Sequence, residues 1–178
     1  MNSNDTIVKK DSLILLVPAE ILQKKIMETV KTMTDAKLKC IYVSLNRPAE
    51  NVVEGLKKLK ISTDDVRLID GISVSVGYKP VTSKNIIFMS DPSDLTGLSI
   101  AIGQFMESLK GEKFIISDVI KTMLLYNDMS TVVSFVNTLV SKAKEYNVKI
   151  RVILMEKEDK MLYSKIKNLF DETVELND

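Results

Sequence analysis

The 178-residue sequence contains no histidine, no tryptophan and a single cysteine. Without histidine it can form no Ser-His-Asp triad, no imidazole general base and no histidine-ligated metal site. The lone thiol of Cys40 can form neither an intrachain disulfide nor a cysteine cluster, and we interpret it as a small buried hydrophobe. These absences exclude the commonest hydrolase and metal-site chemistries.

Long hydrophobic runs and an excess of one charge are also missing. The longest apolar run near the start, residues 13–17, is far shorter than the ~20 residues of a transmembrane helix. Lysine and arginine total 25 and aspartate and glutamate 24, which gives a net charge of +1. With only 6% aromatic residues, the composition gives no support for nucleic-acid binding. We therefore expect a cytoplasmic protein without a membrane span.

What the sequence does contain is an alternation of strand-length apolar runs with helical patterns. The runs cover residues 13–17, 40–45, 66–69, 72–76, 86–89, 114–116, 148–155 and, as a terminal edge strand, 173–176. Runs such as LILLV and IIFM are apolar on both faces, as in strands covered by helices on both sides. The alternation predicts a single three-layer α/β domain with a mostly parallel sheet over residues 11–178. Residues 1–10 are polar and unpatterned, which predicts a flexible N-terminus.

Two of the predicted helices begin with capping signals. Residues 91–94 (DPSD) combine proline and carboxylates where helix starts favour them, and Asp128 precedes a long helix over residues 129–146. The long helix carries a second apolar row at Val133 and Val140. For this row we favour deeper burial in the core over a contact between subunits.

The sequence has no glycine-rich phosphate-binding loop. No two of its six glycines have the spacing of the G-x-G-x-x-G or G-x-x-x-x-G-K-[ST] fingerprints. Those loops need glycine because backbone amides must approach phosphate closely. At the first strand–helix junction, Pro18 has no N–H and Glu20 places a negative charge on the first helical turn. This junction suits a helix start and is predicted to repel phosphate.

The segment around Asp118 resembles a known family. Residues 115–128 read IISDVIKTMLLYND and are similar to the Walker B strand and following segment of archaeal-type RecA/KaiC-like ATPases, of the P-loop NTPase superfamily. That family often reads DSLSTLLLYN there, and the register matches without a gap over residues 118–127. Two upstream segments agree, YVSLNRP at 42–48 and DLTGLSI at 94–100. The resemblance spans about residues 12–155 and implies a RecA/KaiC-like core.

The departures from this family fall where nucleotide would be bound and hydrolysed. The Walker A loop would lie between Val17 and Ile21, and it is missing, with Pro18 in its place. The family's catalytic carboxylates would fall at Asn46 and Arg47. An amide and a guanidinium cannot act as the base that polarises the attacking water.

Of the nucleotide-site residues that the resemblance implies, only the Walker B aspartate, Asp118, is retained, and Val119 replaces the hydroxyl that usually follows it. We predict no metal site, with Asp118 as the one candidate ligand, since Mg²⁺ sites usually also use substrate phosphates. We therefore predict a domain that is not an enzyme, has no catalytic residues and no cofactor, and keeps a vestigial nucleotide site. Its positions are Pro18, Asn46, Arg47 and Asp118.

Two functions remain open from the sequence. A degenerate RecA/KaiC-like domain would act as an adaptor or regulatory subunit through protein partners or self-association, without binding ATP or Mg²⁺. The alternative is a nucleotide-binding protein or ATPase with a rebuilt site at the carboxyl ends of the strands. That crevice would be lined by Pro18, Asn46, Arg47, Ser90, Asp91, Ser117 and Asp118.

Overall fold

The computed structural model describes residues 3–80, 83–118, 120–156 and 159–177. The strands are β1 (Ser12–Val17), β2 (Lys39–Ser44), β3 (Val66–Asp70), β4 (Ile86–Phe88), β5 (Lys113–Ser117), β6 (Lys149–Met155) and β7 (Glu172–Glu175). The helices are α1 (Ser3–Lys9), α2 (Leu22–Asp35), α3 (Ala49–Lys58), α4 (Leu95–Ser108), α5 (Ile120–Met123), α6 (Met129–Glu145) and α7 (Lys160–Ile166). Short 3₁₀ turns cover Ala19–Ile21, Thr63–Asp65 and Lys167–Leu169. Within the described residues, no helix combines the length and the apolar character that crossing a bilayer requires.

The strands form one seven-stranded sheet in the order β4-β3-β2-β5-β6-β1-β7. All of its strand pairs are parallel. β1 lies between β6 and β7, and Leu13 is opposite both Arg151 and Glu172. Parallel neighbours need crossover connections, which the helices between most successive strands provide. The predicted three-layer α/β domain with a mostly parallel sheet is confirmed.

Helices cover both faces of the sheet. On one face, α1, α2 and α3 bury Ile7, Ile26 and Val52 against the strands. On the other face, α4, α5, α6 and α7 pack, with Ile102 and Val136 among their buried residues. The connections through α2 and α3 run toward the β4 edge, and those through α4 to α7 run toward the β7 edge. Because crossovers between parallel strands are right-handed, connections that run in opposite directions place their helices on opposite faces of the sheet.

Several local predictions are confirmed by the structure. The terminal edge strand predicted at 173–176 is β7, which lies at the edge of the sheet beside β1. Cys40 is fully buried, and its burial raises the pKa of its thiol well above the ordinary value. On α6, Val140 is buried in the core and Val133 packs against it. The second apolar row of this helix is therefore part of the core.

The strand predicted at 72–76 is wrong. These residues form turns after β3 because the buried carboxylate of Asp70 holds them there. Asp70 accepts hydrogen bonds from the amides of Ile72 (3.0 Å) and Ser73 (2.9 Å) and from the Ser73 hydroxyl (2.6 Å). It also accepts one from the amide of Ala49 at the start of α3 (2.6 Å). At Gly71 a Cβ atom would lie 2.0 Å from Cδ2 of Leu45, so the turn packs too closely for a side chain.

The N-terminal segment over residues 1–10, for which the sequence predicts flexibility, contains a helix that the sequence pattern did not indicate. Residues 3–9 form α1, and Ile7 is buried against the sheet. The guanidinium of Arg151, on β6, is fully buried beneath this segment. It donates hydrogen bonds to the carbonyls of Ile7, Lys10 (2.6 Å) and Asp11 (3.2 Å). Carbonyls at a helix C-terminus lack helical partners, and Arg151 supplies the donors.

Candidate functional site at the carboxyl ends of β2 and β5

The sheet has a topological switch point between β2 and β5. The connection that follows β2 leads through α3 to β3 on one side, and the connection that follows β5 leads through α5 and α6 to β6 on the other. Connections that diverge in this way leave a crevice outside the carboxyl ends of the two strands, where open α/β sheets bind ligands. The residues that follow β2 and β5 therefore form the candidate site.

The turn after β2 is held by Ser44. Its hydroxyl accepts a hydrogen bond from the amide of Arg47 (3.1 Å) and donates one to the Arg47 carbonyl (3.0 Å). The Arg47 guanidinium then reaches across the start of α3, where it donates to the side-chain carbonyl of Gln23 on α2 and to the carbonyl of Asn51 (3.4 Å). Arg47 is thus oriented by two helices. Asn46 is exposed beside it, with its Oδ1 3.5 Å from the Ser44 hydroxyl.

The carboxylate of Asp118, directly after β5, is buried and incompletely paired. One oxygen accepts a long hydrogen bond of 3.4 Å from the Tyr42 hydroxyl, and the other has no partner among the described residues. Burial raises the pKa of Asp118 to about 6, and the positive charge of Arg47 opposes this shift. The hydroxyl of Ser117 beside it is likewise buried without a partner in the described part of the chain. Unpaired buried polar groups are uncommon and mark this crevice as a candidate functional site.

At the end of β1, the junction with α2 has no space for a phosphate loop. Pro18 follows the strand directly, its carbonyl accepts a hydrogen bond from the amide of Ile21 (3.2 Å), and α2 begins at Leu22. The intervening residues form one 3₁₀ turn. Since Pro18 has no N–H and the turn uses the amide of Ile21, the junction offers no amide cradle of the kind that phosphate-binding loops provide.

The residues predicted for the crevice do not all lie in it. Arg47 and Asp118 follow the neighbouring strands β2 and β5, and Ser117 is the last residue of β5. Ser90 and Asp91 follow the edge strand β4, which β3 separates from β2. Asp91 accepts hydrogen bonds from the Ser93 hydroxyl (2.6 Å) and amide (2.8 Å), and these bonds lower its pKa. Asp91 thus organises the turn before α4, and both residues lie at the β4 edge of the sheet, away from the crevice between β2 and β5.

The order of strands in the sheet also places Pro18 away from the crevice. Pro18 follows β1, which β6 separates from β5. The hydrogen bond from Arg47 to Gln23 connects the turn after β2 to α2, the helix that follows Pro18. Val119, the remaining position in the resemblance to the Walker B segment, lies outside the described residues.

Sequence reasoning missed Tyr42 and Gln23. Tyr42 is fully buried, and the pKa of its hydroxyl is raised by burial and by the negative charge of Asp118. The period of two in the run CIYVS placed Tyr42 and Ser44 on one face of a strand. It could not show that this face adjoins Asp118, 76 residues further along the chain. In the described ranges, no group of three or more potential metal-ligating side chains occurs.

Comparison with known proteins identifies a family and a fold. A family model described as "Family of unknown function (DUF7090)" matches residues 1–178. A solved structure of a protein from Pyrococcus horikoshii OT3, studied as project PH0250, superposes with a TM-score of 0.64 at 12% sequence identity. The match covers 100% of this chain and 89% of that chain. At this identity the likeness is one of fold alone. No curated protein matches the chain.

Proposed function

We propose that this chain, which belongs to the DUF7090 family over residues 1–178, is a non-hydrolysing, RecA/KaiC-like domain. It acts as an adaptor or regulatory subunit by binding protein partners. The observation that carries the proposal is the β1–α2 junction. There, Pro18 and a single 3₁₀ turn stand where the resemblance implies a phosphate loop. The glycine-rich loop whose amides would surround a phosphate is replaced there by a proline without an N–H and by a turn that uses the amide of Ile21.

The loss of the hydrolytic base supports the same proposal. At the end of β2 the resemblance implies catalytic carboxylates, and the residues there are Asn46 and Arg47. The guanidinium of Arg47 is hydrogen-bonded to Gln23 and to the carbonyl of Asn51. A permanently charged donor held in this way cannot accept a proton from water.

An exposed apolar rim at the carboxyl edge of the sheet offers a surface for a partner. It consists of Val76 in the connection after β3, Leu125 and Tyr126 after β5, and Met161 in the first turn of α7 after β6. Their exposed fractions are 69%, 75%, 50% and 68%. Exposed large apolar side chains are candidates for contact with a partner, and each of these four lies in a segment that follows the carboxyl end of a strand. The carboxyl-edge rim therefore provides the proposed docking surface.

Titration with Mg·ATP and Mg·ADP tests the nucleotide part of the proposal. We expect no saturable heat at millimolar nucleotide in calorimetry, because the phosphate cradle is missing. The favoured alternative for any binding is a rebuilt site at the β2–β5 crevice, where Asp118 and Ser117 have unpaired buried oxygens. A saturable micromolar site that disappears in Asp118→Ala would establish that alternative and overturn the proposal.

Site-specific photocrosslinking tests the partner surface. A photoreactive phenylalanine derivative at position 125 should give covalent products with a partner or with a second copy when the full chain is expressed in cells. The matched control is position 100, since Ile100 on α4 is also an exposed large hydrophobic residue, 56% accessible, but lies away from the rim. Equal products from both positions, or none from position 125, would contradict an interaction through the carboxyl-edge rim.

A further inference from the structure

The sheet extends one strand beyond the helix that covers this part of its face. β4 has three residues, and its Ile86 and Phe88 are only half-buried beside α3. Between them and Val53 of α3 lies a cavity of about 270 Å³. Ligand pockets are mostly apolar clefts of ~300–1,000 Å³ with a few placed polar groups. At about 270 Å³ this cavity lies just below that range, which limits its occupant to a small molecule.

Tyr78 and Glu50 form the polar end of this cavity. The Tyr78 hydroxyl donates a hydrogen bond to Oε1 of Glu50 (2.8 Å), joining the connection after β3 to the first turn of α3. The Tyr78 ring lies 6.2 Å from the Phe88 ring, centroid to centroid, at an interplanar angle of 30°. The cavity therefore presents two aromatic rings and a carboxylate beside its apolar lining.

The electrostatic character of this end is negative. Glu50 is the only charged residue among the described residues that line the cavity. The pKa of Tyr78 is raised by its hydrogen bond to Glu50 and by the negative charges of Glu50 and Asp70. An adjoining cavity of about 230 Å³ shares Val53 and Ile86 and is lined further along by Lys57. Negative charge thus lies at the Tyr78 end and positive charge at the other.

We propose that the cleft between α3 and β4 binds a small organic cation, an ammonium group carried on an apolar body. Its charge would lie against Glu50 and the Tyr78 ring, since aromatic faces and carboxylates both attract ammonium groups. Its apolar body would pack among Val53, Ile86 and Phe88. The inference goes beyond the proposed function and does not depend on it, because the cleft lies at the β4 edge and the nucleotide-site positions do not line it.

Three phenyl compounds of similar shape test this inference by backbone amide NMR of the full chain. They are 2-phenylethylammonium, neutral 2-phenylethanol and anionic 3-phenylpropionate. We expect saturable shifts confined to α3, β4 and the connection after β3, with the cation binding about tenfold more tightly than the alcohol. The anion should bind most weakly. Absence of saturable cation shifts, or equal affinity for all three probes, would overturn the inference.

Two variants locate the site, and a third is the matched control. Val53→Phe should fill the cavity and abolish binding of the cation, while Glu50→Gln should remove the preference for the cation over the alcohol. Glu107→Gln provides the control because Glu107, on α4, accepts the same kind of bond from the hydroxyl of Tyr146, the residue that follows α6 (3.0 Å). It should leave affinity and preference unchanged. Binding that survives Val53→Phe, or a preference lost equally in Glu50→Gln and Glu107→Gln, would refute the assignment.

Discussion

Replacing Arg151 by methionine is expected to lower the free energy of unfolding by about 3–5 kcal/mol. The guanidinium is fully buried and donates to the carbonyls of Ile7, Lys10, Asp11 and Ile150. Burial lowers the pKa of Arg151 to about 10, which leaves the side chain charged at neutral pH. Methionine fills a similar space but donates nothing, so the carbonyls of Ile7 and Lys10 would lose their charged donor, while the Asp11 carbonyl would keep its bond from the Ile150 amide (2.8 Å).

Urea unfolding followed by far-UV circular dichroism measures this loss, since the chain has no tryptophan to serve as a fluorescent probe. Hydrogen exchange should also show that the amides of α1 lose protection far more than those of β2. Arg67→Met is the matched control because Arg67 is also a strand arginine that donates to carbonyls, those of Asp64 (3.0 Å) and Val66 (3.3 Å), but it is only half-buried. If both variants lose stability equally, or α1 stays protected in Arg151→Met, the proposed role of Arg151 is wrong.

Asp118→Asn is expected to stabilise the protein at neutral pH by about 1–3 kcal/mol. The pKa of Asp118 is raised by burial to about 6 in the folded chain, against ~3.9 for an unperturbed aspartate. Between these values the unfolded chain releases a proton that the folded chain retains. Stability therefore falls as pH rises through this window and stays low above it. Asparagine keeps an acceptor for Tyr42 without the cost of a buried charge.

The stabilisation should be present at about pH 7.5 and should largely vanish as pH falls toward about 4. Asp128→Asn serves as the control with the opposite sign. Hydrogen bonds from the Ser130 hydroxyl and from the amide and hydroxyl of Thr131 lower the pKa of Asp128 to about 2. Its ionised form stabilises the start of α6, so that variant should lose stability at neutral pH. An Asp118→Asn protein no more stable than the parent at about pH 7.5 would show that Asp118 carries no such cost.

The raised pKa of Asp118 and its expected cost in stability bear on the function of the protein. A buried carboxylate that destabilises the fold at neutral pH is a feature that stability alone does not explain. Perturbed carboxyl groups of this kind concentrate at functional sites, although ion-pair networks also produce them. A measured stabilisation in Asp118→Asn would support the β2–β5 crevice as a working surface of the protein.

The interior strand β1 could be predicted from the sequence because burial on both faces leaves a continuous apolar run, LILLV. IIFM was also correctly predicted as a strand, but it became the short, half-buried edge strand β4, so its expected cover by helices on both faces was wrong. The run at 72–76 failed because β-propensity is weak against a buried carboxylate that accepts hydrogen bonds from the same residues. The helix α1 was missed because its polar sequence shows no amphipathic stripe, and Arg151 holds it from the other end of the chain.

The candidate site was only partly predictable. Arg47 and Asp118 were both expected at strand ends, and the structure places them close enough for the Arg47 charge to affect the pKa of Asp118. Ser90 and Asp91 were expected in the same crevice because they too follow a strand, but the strand order moves them to the sheet edge. Local periodicity identifies strands, whereas the order of strands depends on contacts between distant segments.

The position of β1 inside the sheet has a consequence for how the chain is made. Its partners β6 and β7 are the last two strands to be synthesised, and Arg151 contacts the Asp11 carbonyl 140 residues away in sequence. Domains dominated by such distant pairings fold slowly. On the ribosome, the apolar run 13–17 must wait for nearly the whole chain before it can be covered by its neighbours. The nascent protein therefore passes through a long interval in which its most hydrophobic strand is available to chaperones or to other unfinished chains.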